Sequence, residues 1–363
     1  MKDRRTFIYM LILSTFLLSM MALLAYADTG MSNGAASSAL YNPDTKTFLY
    51  LSNANKRLPM ASTTKIVTAL IAIETLDQNE MLSVPREAVG VEGSSLYLAE
   101  DDKLTVKDLL YGVLLQSAND AATVLALRIS GSIPAFAEKM NERVASIGAT
   151  DTHFENPHGL DSPQHYTTAR DLSLISAEAL SNSTFKAIAS TYKYTFKLGD
   201  ATRTVVNHNK LLKSFPGCIG VKTGFTKKSG RCLVSAAERD GITLVAVTLD
   251  DPDDWRDHKS MLEHGFENLE SIDLGTLVQL PDSIPTISAD YARVPIKLSK
   301  KNIIKAKDET VTYTVDLPSY ITTGVKAGDK VGAVRVTIQD RTETVDIIAS
   351  YDVTIKKTTR RFF

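Results

Sequence analysis

Cysteine is nearly absent: this chain of 363 residues has two. Two thiols cannot staple a small scaffold together, so the fold must rest on a packed core. Tryptophan occurs once, and 19 glycines with 12 prolines are too few for a low-complexity or collagen-like chain. No sign of charge is in excess. With 41 basic and 42 acidic residues the formal net charge is −1, which argues against a protein built to neutralise nucleic-acid phosphates. What is present is ordinary for a folded protein: 44% hydrophobic and 23% charged residues, in a length that allows one large domain and a smaller one.

An apolar run from Phe7 to Leu24 follows Lys2, Arg4 and Arg5 and closes on Ala25-Tyr26-Ala27. A basic start, an apolar middle and a small-x-small exit are the pattern of an export signal, so residues 1–27 are expected to be removed. The run is also long enough to span a bilayer, which leaves membrane association through an uncleaved segment as the alternative. Either way the remainder is exported. Export permits disulfides, but Cys218 and Cys232 sit in an expected hairpin whose turn centres near Lys227 and Lys228. Cys232 then faces about Thr223, several residues of roughly 3.3 Å each from Cys218, so two free thiols are expected. Residues 358–363 form a basic tail ending in two Phe, too short for an amphipathic anchor.

Ser38–Tyr41 and Thr47–Leu51, joined by Asn42-Pro43-Asp44, predict a hairpin. A helix follows over about Ser62–Leu76, apolar on nearly every face and so buried on most of them. Helical periodicity returns at Val106–Leu115, Asp120–Ile129, Ala135–Ile147 and Ala169–Leu180, the last opened by a capping arrangement of Thr168 and Asp171. Strand-like segments come next: Tyr192–Leu198, Thr204–Asn207, Ile219–Gly224, Cys232–Ala237 and Ile242–Thr248. A helix from about Trp255 to Leu269 closes the region. Strands at both ends of a helical centre, without βαβ alternation, predict an α+β domain with an antiparallel sheet over residues 28–274. From Gly275 the texture changes. Val311–Val315, Val331–Ile338 and Thr344–Ala349 alternate or run β-branched between turns, predicting a small all-β sandwich over 275–357.

Chemistry concentrates in three short motifs. Ser62-Thr63-Thr64-Lys65 places a hydroxyl and an amine three positions apart, on one face of the buried helix. Serine is a weak nucleophile at neutral pH, and a lysine can serve as its base when desolvation and a neighbouring cation depress its pKa. The pattern alone is weak, because Ser183–Lys186 and Ser190–Lys193 also match it. Ser117-Ala118-Asn119 adds a second hydroxyl and a carboxamide from a connection between helices. Lys222-Thr223-Gly224 ends an expected strand, where the lysine and threonine can hold a carboxylate and the glycine lets a substrate backbone approach. A K-T-G triplet is expected by chance roughly 0.1 times in such a chain, so the ordered set is a specific signal.

The S-x-x-K, S-x-N and K-T-G set resembles that of penicillin-binding proteins and class A β-lactamases. The wider text, Pro59–Lys65, Asn156–Leu160 with His165–Asp171, and Val221–Thr226, resembles the low-molecular-mass D-alanyl-D-alanine carboxypeptidases from about Ala36 to Leu269. Around Leu249–His258 it is similar to the Firmicute members, including the sporulation type. The resemblance implies a β-lactamase/transpeptidase-like α+β fold and an exported serine enzyme without cofactor or metal. Its substrate would be a peptidoglycan stem peptide ending in D-Ala-D-Ala, with β-lactams as covalent inhibitors. It implies Ser62 as nucleophile, Lys65 as base and Ser117 as a proton relay. Asn119 would hold the peptide, Lys222 and Thr223 the terminal carboxylate, and the N–H groups of Ser62 and Phe225 the oxyanion. Gly224 and Thr226 complete the binding strand. Ala118 departs from the glycine common in these enzymes.

Other features read more plainly. His153, His158 and His165 match no compact zinc spacing and are expected to pack in a loop beside the cleft. Asp250, Asp251, Asp253, Asp254 and Asp257 fail the calcium-loop template and are expected to be a solvated loop leading into a helix. A β-lactamase needs a second base, usually a glutamate with an asparagine four positions on, but Glu155 is followed at that distance by Gly159. A D,D-endopeptidase acting on cross-links would keep the same motifs, and a penicillin-responsive sensor or a catalytically silent wall-binding protein would keep the fold.

Overall fold

The computed structural model describes residues 31–287 and 293–354. The expected export signal and basic tail lie outside the described residues. Two units divide the chain: one holds the described residues to Ala237 together with Leu244–Leu262, the other Glu238–Thr243 together with those from Glu263 onward. The second unit thus starts earlier than the composition change at Gly275.

The first unit opens with the expected hairpin, β1 (Ser37–Asn42) and β2 (Thr47–Ser52). The next helix differs from its expectation. It begins as a 3₁₀ turn, Ala61–Thr64, and only then becomes α1 (Lys65–Thr75). Ile66, Val67, Ala69, Leu70, Ile71 and Ala72 on α1 are at most 2% exposed. Each large one contributes about 1.5–3 kcal/mol by leaving water.

Around α1 pack α2 (Val106–Leu115), α3 (Asn119–Ser130), α4 (Ile133–Ile147), α5 (Ala169–Ser181) and α6 (Ser183–Ala189). Local chemistry sets their ends. Thr105 and Asp108 form a capping box before α2, Thr168 Oγ1 accepts the Asp171 amide before α5, and left-handed Gly131 and Gly148 close α3 and α4. The short pair β3 (Met81–Ser83) and β4 (Lys103–Thr105), like α6, is too brief for periodicity to reveal.

The hairpin β5 (Lys193–Leu198) and β6 (Ala201–Val206) and the single turn α7 (Leu211–Ser214) lead to the remaining strands. These are β7 (Cys218–Thr226), β8 (Gly230–Arg239) and β9 (Ile242–Leu249), followed by α8 (Asp254–Asn268). The sheet order is β2-β1-β9-β8-β7, with β1–β2, β1–β9 and β7–β8 antiparallel. In the β7–β8 register Cys232 faces Gly224 and Cys218 faces Ala237, and both thiols are free. The fold is the α+β arrangement expected.

In the second unit β10 (Leu269–Asp273) is followed by the single turn α9 (Leu274–Leu277) and β11 (Ser283–Pro285). Then come β12 (Arg293–Leu298), β13 (Asn302–Ala306), β14 (Val311–Asp316), β15 (Lys330–Ile338) and β16 (Arg341–Ala349). Five strands order as β11-β12-β16-β15-β14, and β10 pairs with β13. Val334, Val336, Ile338, Val345 and Ile347 enclose a core with Leu274 and Ile303. Among the described residues no helix is long and apolar enough to cross a membrane.

Candidate active site

The turn carrying Ser62 is held from both sides by close approaches at glycines. Gly159 has φ +89°, and a Cβ there would lie 1.9 Å from the Ala61 carbonyl oxygen. On β7, a Cβ at Gly224 would meet Met60 O at 3.0 Å and Ser62 N at 3.1 Å. The close approach at Gly224 in this structure is to the chain's own Ser62 turn, in addition to the substrate backbone that its place in the motif leads one to expect. A relay fixes the turn further. The Glu155 amide donates to His165 Nδ1 (3.0 Å), leaving Nε2 to donate to Thr64 Oγ1 (2.7 Å), which donates to Ala61 O (2.8 Å). Burial pushes His165 down to about 4, so the ring is neutral at pH 7.

Lys65, the first residue of α1, is wholly buried. Its Nζ lies 3.0 Å from Ser62 Oγ, 2.6 Å from Asn119 Oδ1 and 2.5 Å from the His158 carbonyl oxygen. Desolvation, and next the charge of Lys222, hold its pKa well below the ordinary lysine value, while Asp120 pulls the other way. A neutral amine has two N–H donors and one lone pair. The Asn119 and His158 oxygens can only accept, so they take both donors. In that neutral form the lone pair faces the Ser62 hydroxyl, whereas the ammonium form donates to it.

Ser62 opens into a cavity of about 460 Å³, shared with Ser94, Ser117, His208, Thr223, Gly224, Phe225, Arg231, Asp254 and Trp255. Five expected site residues, Ser62, Ser117, Thr223, Gly224 and Phe225, thus line one space, Phe225 standing 67% exposed. Ser117 takes a left-handed backbone, φ +62°, between α2 and α3. The other expected residues lie outside the lining. Asn119 gives its Oδ1 to Lys65 and donates through Nδ2 to Glu92 O. Lys222 is 1% exposed, donates to Thr223 O (2.9 Å) and is pushed down to about 7 by burial. Thr226 donates to Asp161 and accepts from Ser229 N (2.9 Å), within the hairpin turn.

The alternative pairs are elsewhere: Ser183, Ser190 and Lys193 are exposed. The three histidines each keep local partners. Nδ1 of His153 meets Gln164 O, Nδ1 of His158 accepts from the Leu160 amide, and His165 holds Thr64. The aspartate run corrects its expectation. Asp251, Asp254 and Asp257 are at most 4% exposed rather than solvated, because they bind inward to the Asp253 amide, Arg231 and the Gly34 amide.

Several wall residues escaped the sequence reading. Arg231 pairs with Asp254 (2.5 Å), its guanidinium lies 5.8 Å from the Trp255 ring centre, and its buried Nε has no hydrogen-bond partner among the described residues. It sits opposite Phe225 across β7–β8. Cross-strand partners share a face, so a hairpin register set one residue differently would have pointed to it. The His158 carbonyl left no signal, since a backbone acceptor has no residue code.

Residues 27–253 match the family model for D-alanyl-D-alanine carboxypeptidase, peptidase S11. The D-alanyl-D-alanine carboxypeptidase DacF of Bacillus subtilis is 34% identical over 253 residues, 65% of the length of each chain. The crystal structure of the Streptomyces K15 DD-transpeptidase is 34% identical with a TM-score of 0.62, covering 65% of this chain and 98% of that one. Penicillin binding protein 5 from Haemophilus influenzae is 26% identical with a TM-score of 0.67, covering 89% and 98%. The chain belongs to the D-alanyl-D-alanine carboxypeptidase family of serine peptidases.

Proposed function

We propose that this protein removes the terminal D-alanine from peptidoglycan stem pentapeptides through an acyl-enzyme on Ser62. One observation carries the reading: a buried lysine amine, held by two fixed carbonyl oxygens, lies 3.0 Å from a serine hydroxyl that opens to a cavity. Ser62 Oγ attacks the carbonyl between the two D-alanines while Lys65 Nζ takes its proton. The resulting oxyanion is met by the N–H groups of Ser62 and Phe225, each worth about 3 kcal/mol in such sites. Collapse breaks the C–N bond, and Ser117 passes the proton from Lys65 to the departing amine. Water then attacks the ester by the same route in reverse, and Ser62 regains its proton.

Thr223 meets the substrate's terminal carboxylate from the cavity wall. Arg231 is the half-buried cation of that wall, paired with Asp254, and faces the same charge, while Lys222 supports Thr223 from its buried side and lowers the pKa of Lys65. Asn119 keeps Lys65 in line and has a second amide hydrogen for the peptide. β-Lactams imitate the scissile amide and leave an ester on Ser62 that hydrolyses slowly. The wall substrate fits an exported protein, with the N-terminal segment either removed or kept as an anchor.

The test is D-alanine release from a pentapeptide together with labelling by a fluorescent penicillin. Release with slow penicillin turnover supports the reading. Rapid penicillin destruction points instead to a β-lactamase, cleavage of cross-linked dimers alone to an endopeptidase, and labelling without release to a sensor. Ser62→Ala must abolish labelling; a labelled variant refutes the nucleophile.

A further inference from the structure

Asp120 follows Asn119 on the first turn of α3, is 1% exposed, and has no place in the reaction described above. Its carboxylate nevertheless gathers more donors than helix capping requires. Oδ2 accepts from Ser95 Oγ (2.5 Å), Leu96 N (3.0 Å) and Leu98 N (3.1 Å), and Oδ1 from Ala121 N (2.8 Å). Residues 92–98 form neither helix nor strand, so these bonds replace a ladder. The same segment is tied to Asn119 itself. Ser94 O accepts the Asn119 amide (2.7 Å), and Glu92 O accepts its Nδ2. At Gly93, φ +94°, a Cβ would come within 2.7 Å of that Nδ2. Leu96 and Leu98 anchor the segment in the core, and Ser94 is left in the cavity wall.

We propose that Asp120 is a positioning residue for the Ser62 centre: its buried carboxylate straps residues 92–98 across the start of α3, and so fixes Asn119 against Lys65 and Ser94 against the cavity. The carboxylate also acts through space. Among the described residues, the groups that influence, or are influenced by, Lys65 are Lys222, Asp120, His158 and His165, and of these Asp120 is the one that raises the Lys65 pKa. It favours the ammonium form of Lys65, so its removal makes that amine easier to deprotonate.

This inference rests on the acyl-enzyme reading, and one experiment separates the two. Acylation by a fluorescent penicillin is measured against pH for the full chain and for Asp120→Asn and Asp120→Glu. Absence of labelling in the unaltered chain defeats the reading of function itself. Given labelling, Asp120→Asn is expected to acylate about 10- to 100-fold more slowly on its plateau, as misplacement of a catalytic group does. Its acid limb is expected to move to lower pH. Asp120→Glu keeps the charge and is expected to restore the limb but not the full rate. A plateau rate or an acid limb unchanged in Asp120→Asn overturns the proposal, since lost stability alone would not move the limb. Hydrogen exchange on the unaltered protein gives an arm independent of folding defects. The amides of Leu96 and Leu98 are expected to exchange at least 100-fold more slowly than in an unstructured chain, and free exchange there overturns the strap.

Discussion

At the residue scale the centre depends on two lysines taken out of water. Lys65 and Lys222 are both buried, and each must bear the cost of desolvating an ammonium group. For Lys222, burial pushes the pKa from 10.5 to about 7, so the unfolded chain holds that proton more tightly between those values. Folding is therefore penalised below pH 7 and relieved as pH rises toward 10.5. Lys222→Met, similar in volume, is expected to gain about 2 kcal/mol at pH 7 in denaturant titrations. It is also expected to lose activity. The charge of Lys222 holds Lys65 toward its neutral form, so the acid limb of acylation in Lys222→Met should lie at higher pH than in the unaltered protein. An unmoved limb would show that the two amines do not communicate.

At the scale of elements, the nucleophile turn is gripped between the loop of Gly159 and strand β7. The two glycines differ in how little room they leave. Alanine at Gly159 would bring Cβ against the backbone at 1.9 Å and must also adopt φ +89°, whereas at Gly224 the nearest approach is 3.0 Å. Gly159→Ala is expected to cost more than about 3 kcal/mol and Gly224→Ala about 1 kcal/mol, in thermal melts of the two variants. Equal losses would mean the turn is softer than its contacts imply. Both glycines lie in motifs visible in the sequence, yet neither motif reveals what presses on it. The His158 carbonyl belongs to the same loop, which links its packing directly to the orientation of Lys65.

At the scale of the molecule, buried neutral histidines set the response to acid. Burial pushes His158 and His258 to about 3 and His165 to about 4, while their unfolded value is near 6.5. Their contribution is complete above pH 6.5 and is lost as pH falls toward the folded values. Asp251 runs the other way. Burial raises it to about 6 from 3.8, so its contribution is present at low pH and is lost as pH rises through 6. The three histidines, with Lys222 acting in the same direction over this range, outweigh it. The protein is expected to be roughly 2–3 kcal/mol less stable at pH 5.5 than at pH 7.5, measured by denaturant midpoints at constant ionic strength. Equal stability at the two values would contradict the burial of these rings.

The sequence by itself determined the α+β plan, the run of helices around a buried one, the three motifs and their order, because periodicity and turn chemistry are local properties of the chain. The Thr168–Asp171 cap and the β7–β8 hairpin were legible for the same reason. Only the tertiary structure decided which hydroxyl meets which amine. Ser62, Ser117 and Thr223 come together across more than a hundred residues, while Ser183 and Ser190, with the same spacing to lysine, remain on the surface. It also decided that Lys222 is covered, that Arg231 lines the cavity, and that three of the five aspartates in the run turn inward. Those outcomes depend on desolvation and on partners distant in sequence, among them a backbone carbonyl, and neither is written in the spacing of residues.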